Sequence, residues 1–330
     1  MKKPFTALLI MTWTLMLLGC GAPQVKLFSD ASDPLQELTL QGQGDEKVLV
    51  ISINGVISNS PKESFLRSMP SMVEETVAQL RKAEKDENIK SLLIKVDSPG
   101  GTVTAGDMLY HEIMAYKERT GVKIVVSMMG TAASGGYYVS LPADTIIAHP
   151  TTITGSIGVI IMQPDLTGLM DKIGVEIRVS KSGHNKDMGS PFRPATEEEQ
   201  KMLKDVTDDL SRRFLFLVEK HRGLDEAVLS EVATARIYLA EDAKNLGLID
   251  DIGYLNDALE EARNIAGLSE DAKVVVYRRT KYPDDNLYNS ATSRYGGTGI
   301  SLINIGLPGS AAASLSPGFY YLWAPAVGIQ

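Results

Sequence analysis

Nearly continuous apolar runs alternate with amphipathic stretches through the middle of the chain. Runs rich in β-branched side chains are typical of strands that are buried on both faces. The stretches between them carry helix caps and predict helices. The strands are predicted over 47–57 (KVLVISINGVI), 90–96 (KSLLIKV) and 122–129 (VKIVVSMM), and the helices over about 71–86 and 103–118.

The alternation continues after the small-residue turn at 130–136, which leads into a short helix. Strands that alternate with helices in this way predict an α/β fold with a parallel sheet. Further strands are predicted in DTIIAHP (144–150), SIGVIIM (156–162) and VEIRVSKSG (175–183), with a helix in DLTGLMDKIG (165–174).

From Thr196 onward the pattern is mainly helical. Residues 196–222 predict one long amphipathic helix, with Thr196 as N-cap and Glu199 at the capping-box position. The segment 281–330 is rich in Gly, Ser, Pro and Ala, and we interpret it as an irregular C-terminal tail. Shorter helices are predicted near 225–232, 240–246 and 254–267, and a last strand in KVVVYRR (273–279).

The first twenty residues, MKKPFTALLIMTWTLMLLGC, have the pattern of a lipoprotein export signal. Two lysines precede an apolar stretch that is shorter than the roughly 20 residues of a membrane-spanning helix. The motif LLGC places Cys20, the one cysteine, where lipoproteins carry diacylglycerol. We therefore expect a signal peptide over 1–19, lipid attachment at Cys20, and a tether over 20–46. The protein would then be membrane-anchored in the cell envelope on the non-cytoplasmic side, and an uncleaved N-terminal anchor is the alternative.

Composition excludes several kinds of partner. The chain has 330 residues and a net charge of −8, which argues against binding to a nucleic-acid backbone. The four histidines have no metal-binding spacing, and neither a GxxxxGK[ST] nor a GxGxxG loop occurs. No metal and no cofactor are predicted.

The turn GTAASGGYYVS (130–140) places Ser134 at the C-terminal edge of the sheet, where open α/β sheets bind ligands. From these residues alone, a nucleophile and a structural N-cap are equally good interpretations. A second Gly-rich turn, DSPGG (97–101), follows another buried strand and ends at the same edge. An oxyanion hole needs two convergent N–H donors, which Gly135 and either Gly100 or Gly101 could supply.

A serine nucleophile also needs a base. The loop VSKSGHNKDMGSPFRP (179–194) contains three candidates, Lys181, His184 and Lys186. A lysine acts as a general base when burial lowers its pKa toward 7. Lysines in polar loops are usually solvated, so the loop by itself does not choose among the three.

The motifs VDSPGG, GTAASGGYYVSLPADTIIAHPTTITGSIGV and KSGHNKDMGSPFR, in this order, resemble the bacterial signal peptide peptidase A family, also called protease IV. The resemblance covers about 47–270 and implies a crotonase-like, caseinolytic-protease-like fold of repeated β-β-α units with a C-terminal helical region. We therefore take 47–280 as the catalytic domain. The family uses a Ser/Lys dyad. Matched residue by residue, Ser134 corresponds to the nucleophile and Lys186 to the base, which leaves His184 an improbable one.

The oxyanion donors carried over from the family are Gly101 and Gly135, with Gly100 as the alternative to Gly101. Tyr137 and Tyr138 match the motif, and we expect them to pack in the core. The resemblance implies a serine endopeptidase that cleaves released signal peptides and other short or unfolded segments with small or apolar side chains. It also implies a ring-shaped homo-oligomer in which serine and lysine come from neighbouring subunits. A peptide-binding scaffold and acyl-CoA chemistry on the same fold are the alternatives.

Overall fold

The computed structural model describes residues 33–64, 67–282, 284–289 and 318–325. The expected signal peptide over 1–19 and the lipidation site Cys20 lie outside these residues. None of the described helices has the length and apolar character that crossing a membrane requires.

Strands and helices alternate along the described chain. The strands are β1 (Gln36–Gln41), β2 (Lys47–Asn54), β3 (Lys62–Ser64), β4 (Arg67–Met69), β5 (Ile89–Ser98), β6 (Gly100–Thr102), β7 (Lys123–Ala133), β8 (Thr145–Ala148), β9 (Ile153–Gly155), β10 (Ile160–Met162), β11 (Ile237–Leu239), β12 (Asp251–Ile252), β13 (Lys273–Arg278) and β14 (Gly318–Leu322). The helices are α1 (Met72–Ala83), α2 (Val103–Thr120), α3 (Gly135–Tyr138), α4 (Thr167–Ile173), α5 (Glu197–Arg222), α6 (Glu226–Val232), α7 (Ala240–Asn245) and α8 (Leu255–Asn264).

A parallel-dominated sheet forms the centre of the fold. Its strand order is β1-β13-β2-β5-β7-β8-β12, and every pair from β13 to β12 is parallel, whereas β1 is antiparallel to β13. Beyond its pairing with β8, β7 continues alongside β9. The expected α/β fold with a parallel sheet is confirmed.

Alternate side chains along each strand enter two separate cores. On one face, Ile51, Ile94 and Val126 belong to the larger core, to which α1, α2 and α5 contribute. On the other face, Leu93 and Val125 pack with α8. The central strands are therefore buried on both sides, as their unbroken apolar runs predict.

A long strand followed by a short extended segment and a helix occurs twice. The first unit is β2, an isolated bridge at Ile57, and α1; the second is β5, β6 and α2. Ile57 pairs in parallel with Gly101 of β6, so the second extended segments of the two units lie side by side. This is the repeated β-β-α unit that the family resemblance implies.

A small second sheet covers the C-terminal end of the parallel strands. Its order is β10-β14-β6, and both pairs are antiparallel. β14 comes from residues 318–322, so a strand of the C-terminal tail lies between β6 and β10.

The helix predicted from Thr196 is confirmed as α5. The Thr196 side chain accepts from the Glu199 N–H, and the Glu199 carboxylate accepts from the Thr196 N–H. This reciprocal cap fixes where the helix begins, and with it the loop that precedes α5.

Several elements of the structure differ from the sequence predictions. Residues 36–41, assigned to the tether, form β1 because they pair with β13 at the sheet edge. The prediction of an irregular tail is wrong at 318–322, which form β14 between two strands. Of the strand expected over 156–162, β10 retains 160–162. No strand forms over 175–183, since these residues find no described partner strand in the chain, and their alternating apolar side chains are exposed.

Candidate active site

Ser134 lies at a sharp turn between β7 and the one-turn helix α3. It has φ 53° and ψ −114°, which L-residues rarely adopt and which costs about 1–3 kcal/mol. The turn is held because the Ser134 N–H donates to the Gly155 carbonyl and the Ser134 carbonyl accepts from the Tyr138 N–H. The side chain is buried and makes no capping hydrogen bond to α3. A strained serine that does not cap its helix is typical of a nucleophile-bearing turn.

Backbone groups of three separate elements meet beside Ser134. A Cβ placed on Gly135 would lie 3.0 Å from the Gly100 Cα, 3.2 Å from the Gly101 nitrogen and 3.1 Å from the Tyr321 carbonyl oxygen. A Cβ placed on Gly100, whose φ is +101°, would lie 2.7 Å from the Gly135 nitrogen and would overlap the Tyr321 oxygen. A peptide carbonyl therefore already lies against the glycines that were expected to hold an oxyanion.

The N–H group of Gly101 faces that carbonyl, whereas the N–H group of Gly100 is engaged elsewhere. Gly100 donates its N–H to Ser98 Oγ at 3.1 Å, and its carbonyl accepts from the Ile57 N–H on the far side of β6. Backbone groups of successive strand residues point to opposite sides. Gly101 consequently presents its groups to β14, where its register partner is Tyr321.

The segment that occupies this groove is an extended peptide. β14 runs antiparallel to β6 on one side and to β10 on the other, and the Trp323 N–H donates to the Pro99 carbonyl at 2.8 Å. Main-chain pairing on both edges is how an extended peptide is bound irrespective of most of its side chains. The groove is thus shaped for polypeptide.

Lys186 lies in the exposed loop between α4 and α5. Two carboxylates fasten this loop: Asp187 contacts Lys181 at 2.7 Å and Arg193 at 2.8 Å, and Arg193 also contacts Glu199 at 2.5 Å. The Arg193 guanidinium lowers the pKa of Glu199 to about 2 and holds the pKa of Asp187 below its usual range. The loop is therefore tied to the N-terminus of α5 by charge-assisted hydrogen bonds.

The three candidate bases differ in their contacts. Lys181 is paired with Asp187, and His184 lies 3.9 Å from Glu198 with both side chains exposed. The Lys186 Nζ makes no hydrogen bond or ion pair within the described part of the chain, and its side chain is exposed. No described hydrogen bond joins it to Ser134. Within one chain, Gly101 and Gly135 lie together beside Ser134, and no described hydrogen bond or ion pair joins Lys186 to them.

Comparison with known proteins identifies the family. The model of the family described as Peptidase family S49 matches residues 116–269 of this chain. A putative signal peptide peptidase SppA of Enterococcus faecium is 35% identical over 253 residues, which cover 77% of this chain and 73% of that protein. The chain belongs to peptidase family S49. The family resemblance carried by the three sequence motifs is confirmed, and with it the serine peptidase class.

Other relatives of this S49 peptidase differ in length. Protease 4 of Haemophilus influenzae is 31% identical over 73% of this chain, which spans 38% of that protein. A putative protease of Synechocystis is 34% identical over 68% of this chain and 76% of its own length. Among solved structures, the N165D mutant of ClpP1 from Listeria monocytogenes superposes loosely, with a TM-score of 0.41, 19% identity, and coverage of 64% of this chain and 94% of that chain.

Sequence reasoning on the S49 peptidase missed the residues that line the groove away from Ser134. Tyr138 is buried in the larger core, as predicted, and within that core its ring stacks on Tyr321 at 4.9 Å. Gly106, inside α2, has the Tyr321 ring as its nearest outside neighbour. A glycine in a helix interior costs about 1 kcal/mol relative to alanine and usually has a packing reason. That glycine was the signal available in the sequence.

Proposed function

We propose that this S49 peptidase is a membrane-tethered serine endopeptidase with a Ser134/Lys186 dyad. Its substrates would be released signal peptides and other short or unfolded segments. The observation that supports this most directly is the carbonyl of an extended peptide, Tyr321, held against Gly101 and Gly135 beside the strained Ser134. A substrate peptide bound in the same way has its scissile carbonyl within reach of the serine.

The proposed reaction begins when Ser134 Oγ attacks the scissile carbonyl carbon. The hydroxyl proton passes to the neutral Lys186 Nζ, and the N–H groups of Gly101 and Gly135 hold the tetrahedral oxyanion. Collapse of this intermediate breaks the C–N bond, and the lysine returns its proton to the leaving amine. Water then attacks the acyl-enzyme ester while the same lysine takes its proton, and the ester C–O bond breaks as that proton passes to Ser134 Oγ. The rate should rise from neutral to alkaline pH as the lysine becomes neutral.

The lysine is proposed to come from a second copy of the chain. Ser134 is buried, and no described hydrogen bond joins it to a basic side chain. Lys186, in contrast, is exposed on a loop that ion pairs hold to the start of α5. The segment leading to this loop exposes Val175, Ile177 and Val179, each about half accessible to solvent. Alternating apolar side chains on an unpaired extended segment are typical of an interface. Docking on a neighbour would bury this face and exclude water from the lysine, which favours its neutral form.

The substrate class and the anchor rest on other observations. The Enterococcus faecium relative is named a putative signal peptide peptidase, and the groove binds polypeptide in an extended form. The LLGC motif at Cys20 supports a lipid anchor on the non-cytoplasmic side. A tethered enzyme would meet signal-peptide remnants at the membrane.

The dyad can be tested by mixing two inactive variants. Ser134→Ala and Lys186→Ala should each lose cleavage of an unfolded reporter peptide, because nucleophile and base act as one unit. Co-assembly of the two should restore cleavage, since some interfaces then pair an intact serine with an intact lysine. Near-normal turnover by either variant alone would contradict the dyad. Inactivity that persists after co-assembly would contradict its division between subunits.

A further inference from the structure

Two consecutive glycines, Gly100 and Gly101, end the turn over residues 97–101, which we call the oxyanion turn. Glycine adopts positive and negative φ about equally, and Gly100 has φ +101°. The peptide plane between the two residues can therefore rotate without a side chain that opposes it. If this plane turned over, the Gly101 N–H would point away from the oxyanion that it is proposed to hold. Whichever group fixes the plane therefore affects the reaction.

A second turn, over residues 54–57 after β2, lies behind the oxyanion turn, and we call it the backing turn. The Ile57 N–H donates to the Gly100 carbonyl at 2.8 Å, and the Thr102 N–H donates to the Ile57 carbonyl at 3.0 Å. A Cβ placed on Gly101 would overlap the Ile57 carbonyl oxygen, so the two backbones are in direct contact. The carbonyl and the N–H of one trans peptide unit point in opposite directions. Because the Gly100 carbonyl points to Ile57, the Gly101 N–H points to the groove.

The backing turn is itself fixed at both ends. At its far end, the Ile57 side chain is fully buried in the larger core. At its near end, the Gly55 N–H donates to the Asp97 carbonyl at 2.9 Å. A segment held by core packing and by main-chain bonds gives the oxyanion turn a rigid support.

The side chain of Ser98 joins the two turns. Ser98 is fully buried, its Oγ donates to the Gly55 carbonyl at 2.7 Å, and the same oxygen accepts from the Gly100 N–H at 3.1 Å. The Gly100 carbonyl lies farther away, at 3.5 Å, so the single hydroxyl proton goes to Gly55. A buried hydroxyl that donates and accepts at once strengthens both bonds. Ser98 thus fixes the peptide plane that precedes Gly100, while Ile57 fixes the one that follows it.

We propose that Ser98 is a positioning residue for the oxyanion site. Its hydroxyl ties the oxyanion turn to the backing turn and thereby directs the Gly101 N–H at the negative charge that develops on the scissile carbonyl. The inference rests on the proposed function for the reaction, and it assigns a role to a motif residue for which the sequence predicted none. Ser98 acts through the backbone of Gly55 and Gly100.

Ser98→Ala in the full-length protein tests the role. The substitution leaves the Gly100 N–H and the Gly55 carbonyl without their partner, and it frees the oxyanion turn to move. We expect kcat to fall about 10–100-fold, because a displacement of about 1 Å in a reacting group has this effect. KM for an unfolded reporter peptide should stay within about twofold, since the hydroxyl supports an interaction made in the transition state. The pH–rate profile should keep its shape, because the base is not changed.

A peptide boronic acid of the reporter sequence separates positioning from a general loss of structure. It forms a tetrahedral adduct with Ser134 that places an oxygen where the oxyanion develops. Transition-state analogues gain affinity from the same contacts that lower the barrier. The Ki of the boronic acid should therefore rise in Ser98→Ala by the factor by which kcat/KM falls.

Ser91→Ala is the matched control. Ser91 lies at the other end of β5, is also fully buried, and donates to the Lys123 carbonyl at 3.4 Å. This variant loses a buried hydroxyl from the same strand, far from the oxyanion turn, and should keep kcat and Ki. Ser98→Cys, whose thiol is a weaker donor and acceptor, should have an intermediate kcat, and it supplies the measurement if Ser98→Ala does not fold.

Two outcomes would overturn the proposal. One is a wild-type kcat in folded Ser98→Ala, or in Ser98→Cys where the alanine variant does not fold. The other is an equal loss of kcat in Ser91→Ala, because the effect would then come from loosening β5 as a whole. Inactivity that persists in the mixing experiment, with the Ser98 results as expected, would contradict the proposed dyad arrangement alone.

Discussion

Ser134 and Lys186 are held by different kinds of interaction. Ser134 is 1% exposed, and its strained backbone is fixed by main-chain hydrogen bonds to Gly155 and Tyr138. Lys186 is exposed on a loop whose order comes from an ionic cluster around Asp187 and Arg193. The serine region is built like a core and the lysine region like a docking surface.

The contrast teaches how the proposed site would be completed. A strained turn persists only where the surrounding packing determines it fully, and one chain supplies all of that packing for Ser134. A base in water offers no advantage, because its charged form is well solvated. Under the proposed dyad, the lysine would act as a base only when a second copy covers the loop, so activity should depend on assembly in a way that the fold of the serine region does not.

Gly100→Ala should have the largest effect on the serine side of this comparison. The new Cβ would lie 2.7 Å from the Gly135 nitrogen and would overlap the position of a bound peptide carbonyl. Because this Cβ would displace the Gly135 N–H, we expect kcat/KM to fall about 10²–10³-fold, the usual cost of losing an oxyanion donor. Cleavage of a reporter peptide and Tm are the measurements.

Gly121→Ala is the matched control for this substitution. Gly121 also has a positive φ, +69°, but a Cβ there would meet nothing within 4 Å. Both variants should lose about 1 kcal/mol of stability from the backbone conformation. Gly100→Ala should lose more, because its Cβ overlaps backbone atoms, and activity should fall in Gly100→Ala alone. Equal activity in the two variants would show that the space beside Gly135 does not matter to the reaction.

Much of this contrast could be predicted from the sequence. The strand VKIVVSMM and the small residues after it specify the turn that carries Ser134, because a buried strand must end in residues that allow close backbone approach. The capping box at Thr196 and Glu199 places the start of α5. These features are local, and local propensity and packing act in the same direction there.

What the sequence could not supply was long-range. β14 pairs with β6, about 220 residues earlier in the sequence. No periodic pattern in the sequence predicts that a segment of the tail lies in the groove. The alternation of apolar and polar residues in 175–183 predicts a strand. Such alternation indicates that one face of the segment is apolar, but it does not indicate which neighbour buries that face. The missing strand and the unexpected one therefore have the same cause: pairing is decided by tertiary neighbours.

Arg193→Gln should have the next largest effect, on the lysine side. Arg193 joins Asp187 to Glu199, whose side chain is 2% exposed, so its loss frees the loop and leaves a nearly buried carboxylate without its cation. We expect kcat/KM to fall about 10–100-fold, since displacing a reacting group by about 1 Å has this effect. The peptide affinity of the groove should be unchanged, which separates loop position from substrate binding.

The ion pairs of Arg193 with Asp187 and Glu199 stabilise the fold over a defined range of pH. The fold lowers the pKa values of Asp187 and Glu199. Their ion pairs therefore contribute fully to stability at pH values above the ordinary carboxyl pKa, and this contribution is lost as the pH falls toward 2. The Arg193→Gln loss of activity should therefore be the same at neutral and alkaline pH. Lys201→Gln, which removes an exposed ion pair to Asp205 on the same helix, is the control. A wild-type rate for Arg193→Gln would mean that the loop needs no such fastening.

The smallest expected effect on activity comes from Lys95, the lysine that burial alone would suggest as a base. Burial, with Arg278 nearby, lowers the pKa of Lys95 to about 8. Lys95 lies on β5 and donates to the carbonyls of Leu287 and Asn289. Its neighbours in sequence, Ile94 and Val96, face the opposite core, the one that contains Tyr138. Lys95→Met should thus leave kcat/KM and its pH profile unchanged, whereas Lys186→Met should abolish cleavage.

Lys95 should affect the pH dependence of the unfolding free energy. Its folded pKa lies below the ordinary 10.5, so between pH 8 and pH 10 the unfolded chain holds a proton that the folded chain has released. The unfolding free energy should rise across this window by about 2–3 kcal/mol in the wild type relative to Lys95→Met. Urea denaturation at both pH values measures the difference. A shifted pH–rate profile in Lys95→Met would indicate that the base is Lys95 in the sheet interior and not Lys186 on the exposed loop. The contrast between the two regions would then be wrong.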